Sequence, residues 1–71
     1  MERTRVNSSN ISSIGYEEQS QTLEIEFNTG NVYQYYGVPP QVNQQLMNAA
    51  SHGLFFSSNI KQGGYTYKKI K

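Results

Sequence analysis

In Leu23-Glu24-Ile25-Glu26-Phe27 three large apolar residues alternate with two carboxylates, and the run ends at Asn28-Thr29-Gly30. Successive side chains on an extended chain point to opposite sides, so this period of two describes a strand with one buried face. The turn then decides where the tyrosines of the next segment point. A two-residue turn on Thr29 and Gly30 would pair Phe27 with Val32 and put Tyr33 and Tyr35 on the glutamate face. A three-residue loop with Gly30 left-handed as a bulge pairs Ile25 with Tyr33 and Leu23 with Tyr35. The second is predicted, because glycine falls where φ is positive and Asn28 can bond its own backbone. Tyr33 and Tyr35 then belong to the core or its rim, while Val32, Gln34 and Tyr36 point the other way. Glu24 and Glu26 are expected on a solvated face, not as an acid/base pair, since such pairs need burial to separate their pKa values.

Around this hairpin the chain reads as further short elements. Residues 1–7 are polar and charged apart from Met1 and Val6 and are expected as a flexible lead-in, leaving a single domain over 8–71. Ile14 and Tyr16 alternate across Gly15, and Glu17–Gln21 is a polar turn. "YGVPP" stops the extended run and starts a helix, with Pro39 or Pro40 suited to a first-turn position that needs no N–H. Val42, Leu46, Ala49 and Ala50 follow along one stripe. Gly53 fits the end of that helix; alternatively Ser51 caps a second one, with Leu54, Phe55 or Phe56, and Ile60 facing the sheet. Gly63 and Gly64 end it, and "YTYKKI" is a terminal strand with Tyr65, Tyr67 and Lys69 on one side. The expected architecture is α+β: a three-stranded antiparallel meander, one or two short helices packed on one face and a short C-terminal strand. "SSNI" occurs at Ser8–Ile11 and Ser57–Ile60, which is read as coincidence.

The inventory of reactive groups is short. Among 71 residues there is no cysteine or aspartate and one histidine, His52. That leaves no thiol chemistry or disulfide, and too few ligands for a metal site. No serine sits in a G-x-S-x-G elbow, and "QGGYTYKK" lacks the spacing of a phosphate-binding loop. His52 beside Gly53 is read as a helix C-terminal residue, where a partial positive charge is favourable. No catalytic residue, cofactor or metal is expected. No apolar run is long enough to span a bilayer and "MERTRVNSSN" has no hydrophobic centre, so a cytoplasmic protein without membrane contact is expected.

The net charge of +1 does not imply a polyanionic partner, but its distribution is uneven. Arg3 and Arg5 open the chain, and Lys61, Lys68, Lys69 and Lys71 lie in its last eleven residues. If the termini approach, they make a mildly basic end; otherwise they are solvated tails. The tail interleaves Tyr65 and Tyr67 with these lysines, and cations beside aromatic faces suit single-stranded nucleic acid. A strand with tyrosines inside and lysines outside produces the same string.

Taken in order, "SSNISSIGYEEQSQTLEIEFNTGNVYQYYGVP", a short helix, "SHGLFFSSNIK" and "YTYKKI" resemble the KTSC domain, named for its occurrence at the C-terminus of some lysyl-tRNA synthetases. The resemblance covers about Ser8 to Ile70. The central Y-x-Y of that family is similar to Tyr33-Gln34-Tyr35, and its S-x-G-x-F/Y-F stretch to Ser51, Gly53, Phe55 and Phe56. It implies an α+β domain, also found as a stand-alone bacterial protein, with no established activity and a suggestion of RNA binding from the synthetase context. This copy has Gln34 where a basic residue is common, Ser57 where Asn is common and Thr66 where Pro is common. The lost cation weakens the RNA reading. The functional expectation is a non-catalytic accessory module in weak contact with RNA, single-stranded or tRNA, through Tyr36, Lys61, Tyr65, Tyr67, Lys68, Lys69 and Lys71, with Tyr33, Tyr35, Gly30, Gly53, Phe55 and Phe56 structural. The alternative is a protein-interaction module using Tyr36, Val32 and Val38 as an exposed patch.

Overall fold

The computed structural model describes all 71 residues, Met1–Lys71. Strands β1 (Thr4–Arg5), β2 (Ile11–Glu17), β3 (Thr22–Phe27), β4 (Val32–Tyr36) and β5 (Thr66–Lys69) form one antiparallel sheet in sequence order. Between β4 and β5 run α1 (Pro40–Met47) and α2 (His52–Phe55), the latter continuing directly into a π-helical segment, Phe56–Lys61. No helix is long and apolar enough to cross a membrane.

The β3–β4 hairpin has the register that its turn residues select. Ile25 pairs with Tyr33 and Leu23 with Tyr35. Gly30 has φ +95°, and its N–H donates to the Phe27 carbonyl at 2.9 Å. Asn28, however, does not bond its own backbone. Its Nδ2 donates to the carbonyls of Ser8 and Ser9, and its Oδ1 accepts from the Ser12 hydroxyl. The turn is thereby stapled to the segment entering β2.

The sheet is one five-stranded meander where a three-stranded meander and a short C-terminal strand were expected. β5 continues the same sheet beside β4, with Tyr35 opposite Tyr67 and Tyr33 opposite Lys69. The other addition comes from the first seven residues, expected as a lead-in: Thr4 and Arg5 pair with Ile14 and Ser13. No apolar alternation marks this strand; it is held by edge hydrogen bonds and by Arg3. The Arg3 guanidinium reaches across the sheet to Glu24 and donates through Nε to Ser13 Oγ at 2.9 Å. Ser13 passes its own hydrogen to Glu26 at 2.8 Å.

Glu24 is therefore buried, at 7% exposure, and not on a solvated face. Burial raises its pKa, but hydrogen bonds from Gln34 and Arg3 and the nearby positive charges outweigh that and hold it below the usual carboxylate range. Gly15 makes room for the covering segment. A Cβ there would stand 2.6 Å from the Glu2 carbonyl oxygen and 2.9 Å from Arg3 Cγ, so the glycine permits backbone to cross the strand. Because β1 and β5 occupy opposite edges, the arginines and lysines do not meet in one basic end.

The opposite face carries the core: Ile11, Ile14, Leu23, Ile25 and Tyr35 from the sheet, with Val38, Leu46, Phe56 and Ile60 from the connection. Helix α1 starts at Pro40 behind Pro39, as the fixed proline φ dictates. It stops at Met47, so Ala49 and Ala50 lie beyond it and the apolar stripe reduces to Val42 and Leu46. Ser51 caps α2, accepting from the Leu54 N–H at 3.2 Å. His52 opens α2 instead of closing α1, yet its Nδ1 lies 2.8 Å from the Leu46 carbonyl and caps the end of α1 from there. Phe56 and Ile60 point inward four residues apart. Leu54, two residues and roughly 200° around the helix from Phe56, is 71% exposed and does not face the sheet as expected.

Candidate functional site

A cleft of about 530 Å³ opens where the β3–β4 turn, the entry to β2 and the π-helical segment converge on the tyrosine-bearing face of β4 and β5. Its floor and wall are aromatic. Tyr35 packs edge-on to Phe56 at 5.3 Å between ring centres, lies 5.5 Å from Tyr67 and stacks beside Tyr33 at 6.4 Å. Tyr33 meets Phe27 edge-on at 5.8 Å, and Tyr67 lies 6.1 Å from Tyr33. Their register follows from the hairpin: Tyr33, Tyr35 and Tyr67 stand on one face because β4 and β5 pair with Tyr35 opposite Tyr67. The rim is polar, with Asn10, Asn31, Thr29 and Ser57, and Lys61 stands at the end of the π-helical segment.

The chemistry on offer is that of neutral donors and one cation. No carboxylate, imidazole or thiol lines the cleft. Burial first, and then the neighbouring Tyr33 and Tyr67 hydroxyls, push the Tyr35 phenol above the usual tyrosine range, so it keeps its proton. Elsewhere, no group of three or more His, Cys, Asp or Glu side chains is positioned to hold a metal ion.

The residues singled out from sequence divide between two faces. Tyr67 and Lys61 line the cleft, and Lys69, opposite Tyr33, projects on the same side of β5. Lys68 pairs with Gln34 and so lies on the glutamate face. Tyr36 is on that face too, half-buried, its hydroxyl donating to Gln34 Oε1 at 3.0 Å. Tyr65 is half-buried against the core, and Lys71 follows β5, its carbonyl accepting from the Val32 N–H. The patch proposed on Tyr36, Val32 and Val38 does not exist as an exposed surface: Val32 is 5% exposed and Val38 fully buried. Val32 sits on β4, which is flanked by β3 and β5, and Val38 belongs to the core cluster.

Among the residues read as structural, Tyr33, Tyr35, Gly53 and Phe56 line the cleft, whereas Phe55 packs beside the core and Gly30 shapes the turn. The cleft is cut into the edge of the core, so one ring both fills space and forms a wall. Sequence reasoning missed Asn10, Thr29, Asn31 and Ser57, which come from separate segments with no shared spacing. Asn28, which draws two of those segments together, was the available signal. The two "SSNI" strings differ in conformation, one entering β2 and the other in the π-helical segment, and are not a repeat.

Comparison with known proteins agrees with this architecture. The family model for the KTSC domain matches residues 7–69. A crystal structure of a KTSC domain protein from Yersinia pestis superposes with a TM-score of 0.93 at 43% identity, covering 99% of this chain and 97% of that one. An uncharacterized protein of Stutzerimonas stutzeri is 41% identical over 99% of both chains. A lysine–tRNA ligase of Nostoc punctiforme is 44% identical over 84% of this chain, which corresponds to 10% of the ligase. With a family match along nearly its whole length and relatives of its own size, this chain belongs to the KTSC domain family.

Proposed function

We propose that this domain is a non-catalytic accessory module, working in the cytoplasm, that holds single-stranded RNA weakly along the tyrosine cleft. The observation that carries the reading is an exposed aromatic face among cations. Tyr67 is 63% exposed, Lys61 lines the same cleft, and Lys69 projects on the same side of β5. Single strands are bound by that combination, bases stacking on rings and phosphates meeting cations. The absence of carboxylates from the cleft spares a phosphate any local repulsion. Kinship with a segment of a lysine–tRNA ligase supports an RNA partner over other polyanions.

Affinity in isolation is low. With Lys68 on the other face and Lys71 beyond the end of β5, the lysines placed on the cleft side are Lys61 and Lys69, and two phosphate contacts give a slope of log affinity against log salt of about −1.4, at ~0.7 per contact. Such a module acts beside a stronger binder that raises its effective concentration. The test is fluorescence anisotropy with a labelled oligoribonucleotide of roughly six to eight residues at low salt. Lys61→Glu weakens binding, and Lys68→Glu leaves it nearly unchanged. Equal effects of the two reversals, or no binding, would refute the reading.

A further inference from the structure

We infer that the inner part of the cleft is a pocket for one nucleotide, its base hydrogen-bonded to the Tyr35 hydroxyl and its phosphate facing Lys61, an inference that rests on the nucleic-acid reading above. Tyr35 is 6% exposed, and its ring is fixed by Phe56, Tyr67 and Tyr33. The tyrosine hydroxyls taken up within the chain are those of Tyr16, which donates to the Val38 carbonyl, and Tyr36. Tyr35 has no such partner. Nor is its hydroxyl sealed away: the buried side-chain polar atom left without a partner is Asn43 Oδ1, on another side of the molecule. The Tyr35 hydroxyl is therefore reachable by solvent, and the cleft is the opening that the residue lines. A donor held at the foot of an aromatic wall, with its desolvation already largely incurred, gains more from a ligand acceptor than an exposed donor does.

The remaining chemistry narrows the ligand. A volume of about 530 Å³ lies within the ~300–1,000 Å³ typical of small-molecule sites. A lining of mutually packed rings, Phe27, Tyr33, Tyr35, Phe56 and Tyr67, calls for a planar group laid against them, and Lys61 without any carboxylate calls for an anion. A free amino acid or an amine would find no acid for its ammonium. A planar heterocycle bearing acceptors and joined to a phosphate meets all three demands. The Asn28 staple ties the segment entering β2 to the β3–β4 turn, so the part of the rim that carries Asn10, Thr29 and Asn31 is cross-linked by hydrogen bonds within the chain.

The same chemistry is offered by a free nucleotide and by one residue of an RNA strand, and one titration separates them. The isotope-labelled full chain is titrated, by NMR, with the four ribonucleoside 5′-monophosphates, the corresponding nucleosides, and a single-stranded oligoribonucleotide. At least one monophosphate is expected to shift Tyr35, Tyr67 and Lys61, with its nucleoside several-fold weaker. Tyr35→Phe, which keeps the ring, is expected to weaken that monophosphate about fivefold at unchanged melting temperature. An oligomer at least tenfold tighter than the monophosphate assigns the pocket to a strand; equal affinities assign it to free nucleotide. If the oligomer binds through Lys61 and Tyr67 while no monophosphate moves Tyr35, the pocket is wrong and the strand reading stands. If monophosphates bind at Tyr35 and the oligomer does not bind, the pocket stands and the strand reading falls. Monophosphate affinities indifferent to Tyr35→Phe overturn the assignment of the hydroxyl.

Discussion

Replacing Tyr35 separates the two tasks that one ring performs. Truncation to alanine removes a side chain that is 94% buried, counted from its 6% exposure, and in contact with three other rings. Loss of a buried aromatic costs about 3–5 kcal/mol, through lost transfer energy and the cavity left behind. At roughly 0.05–0.15 kcal/mol per residue a domain of this length holds about 4–10 kcal/mol in all. Tyr35→Ala should therefore lower Tm by at least ~12 °C, at about 4–8 °C per kcal/mol, and leave the chain close to unfolding at 37 °C. Tyr35→Phe keeps the ring and deletes a hydroxyl with no partner in the chain, so it should cost less than ~0.5 kcal/mol. Tyr33 is only half-buried, and its alanine variant should fall between, at about 1–3 kcal/mol. Urea titrations followed by far-ultraviolet circular dichroism measure all three. A cost above ~1.5 kcal/mol for Tyr35→Phe would mean that the hydroxyl is already engaged, and a cost of that order or less for Tyr35→Ala would remove the ring from the core.

The sheet's other face is testable through Arg3. Arg3→Ala should destabilise by about 1–3 kcal/mol at neutral pH by leaving Glu24 without its cation. Because the folded-state pKa of Glu24 is lowered, its contribution is full above the unfolded value of ~4.3 and is lost as pH falls through the folded value. Stability curves of variant and parent should therefore converge in acid, and parallel curves down to pH ~2 would show that Glu24 is not linked to Arg3. Gly15→Ala should displace the Glu2–Arg3 segment, which its Cβ would strike, at about 1–3 kcal/mol; added to Arg3→Ala it should cost much less, and simple additivity would refute the shared cause. Gln21 has φ +53°, so Gln21→Gly should stabilise by about 0.5–1 kcal/mol, and a destabilised variant would show that the side chain repays the strain.

Local chemistry was the legible part of the sequence. Alternation in Leu23–Phe27 and a glycine at the positive-φ position determine a register within a few residues, and Pro40 and Ser51 act on their own helix ends. What escaped depended on residues far apart in the chain. Thr4 and Arg5 look like a polar tail because their strand is held at the edge by hydrogen bonds and by Arg3, neither of which leaves an apolar pattern. Glu24 alternates with core residues and is burdened with the same signature as a solvated carboxylate; only the covering Arg3 distinguishes it. His52 serves the C-terminal end of α1 as expected but from outside that helix, since a side chain at the start of α2 reaches back to the Leu46 carbonyl. For the cleft, the tyrosines were visible but were sorted as core or platform, a choice that a cleft cut into the core's edge does not require. Its polar rim has no spacing to detect.

The central claim is that one face, carrying Tyr67, Tyr33, Tyr35 and Lys61, receives a nucleic acid strand. Chemical-shift mapping of the labelled full chain with a single-stranded oligoribonucleotide at low salt tests it most directly. The account predicts shifts at Asn10, Asn31, Ser57, Lys61 and Tyr67, weaker ones at Lys69, and none at Lys68, Tyr36 or Gln34. Shifts concentrated at Lys68 and Tyr36 with the cleft silent, or a spectrum unchanged at saturating RNA, would contradict it.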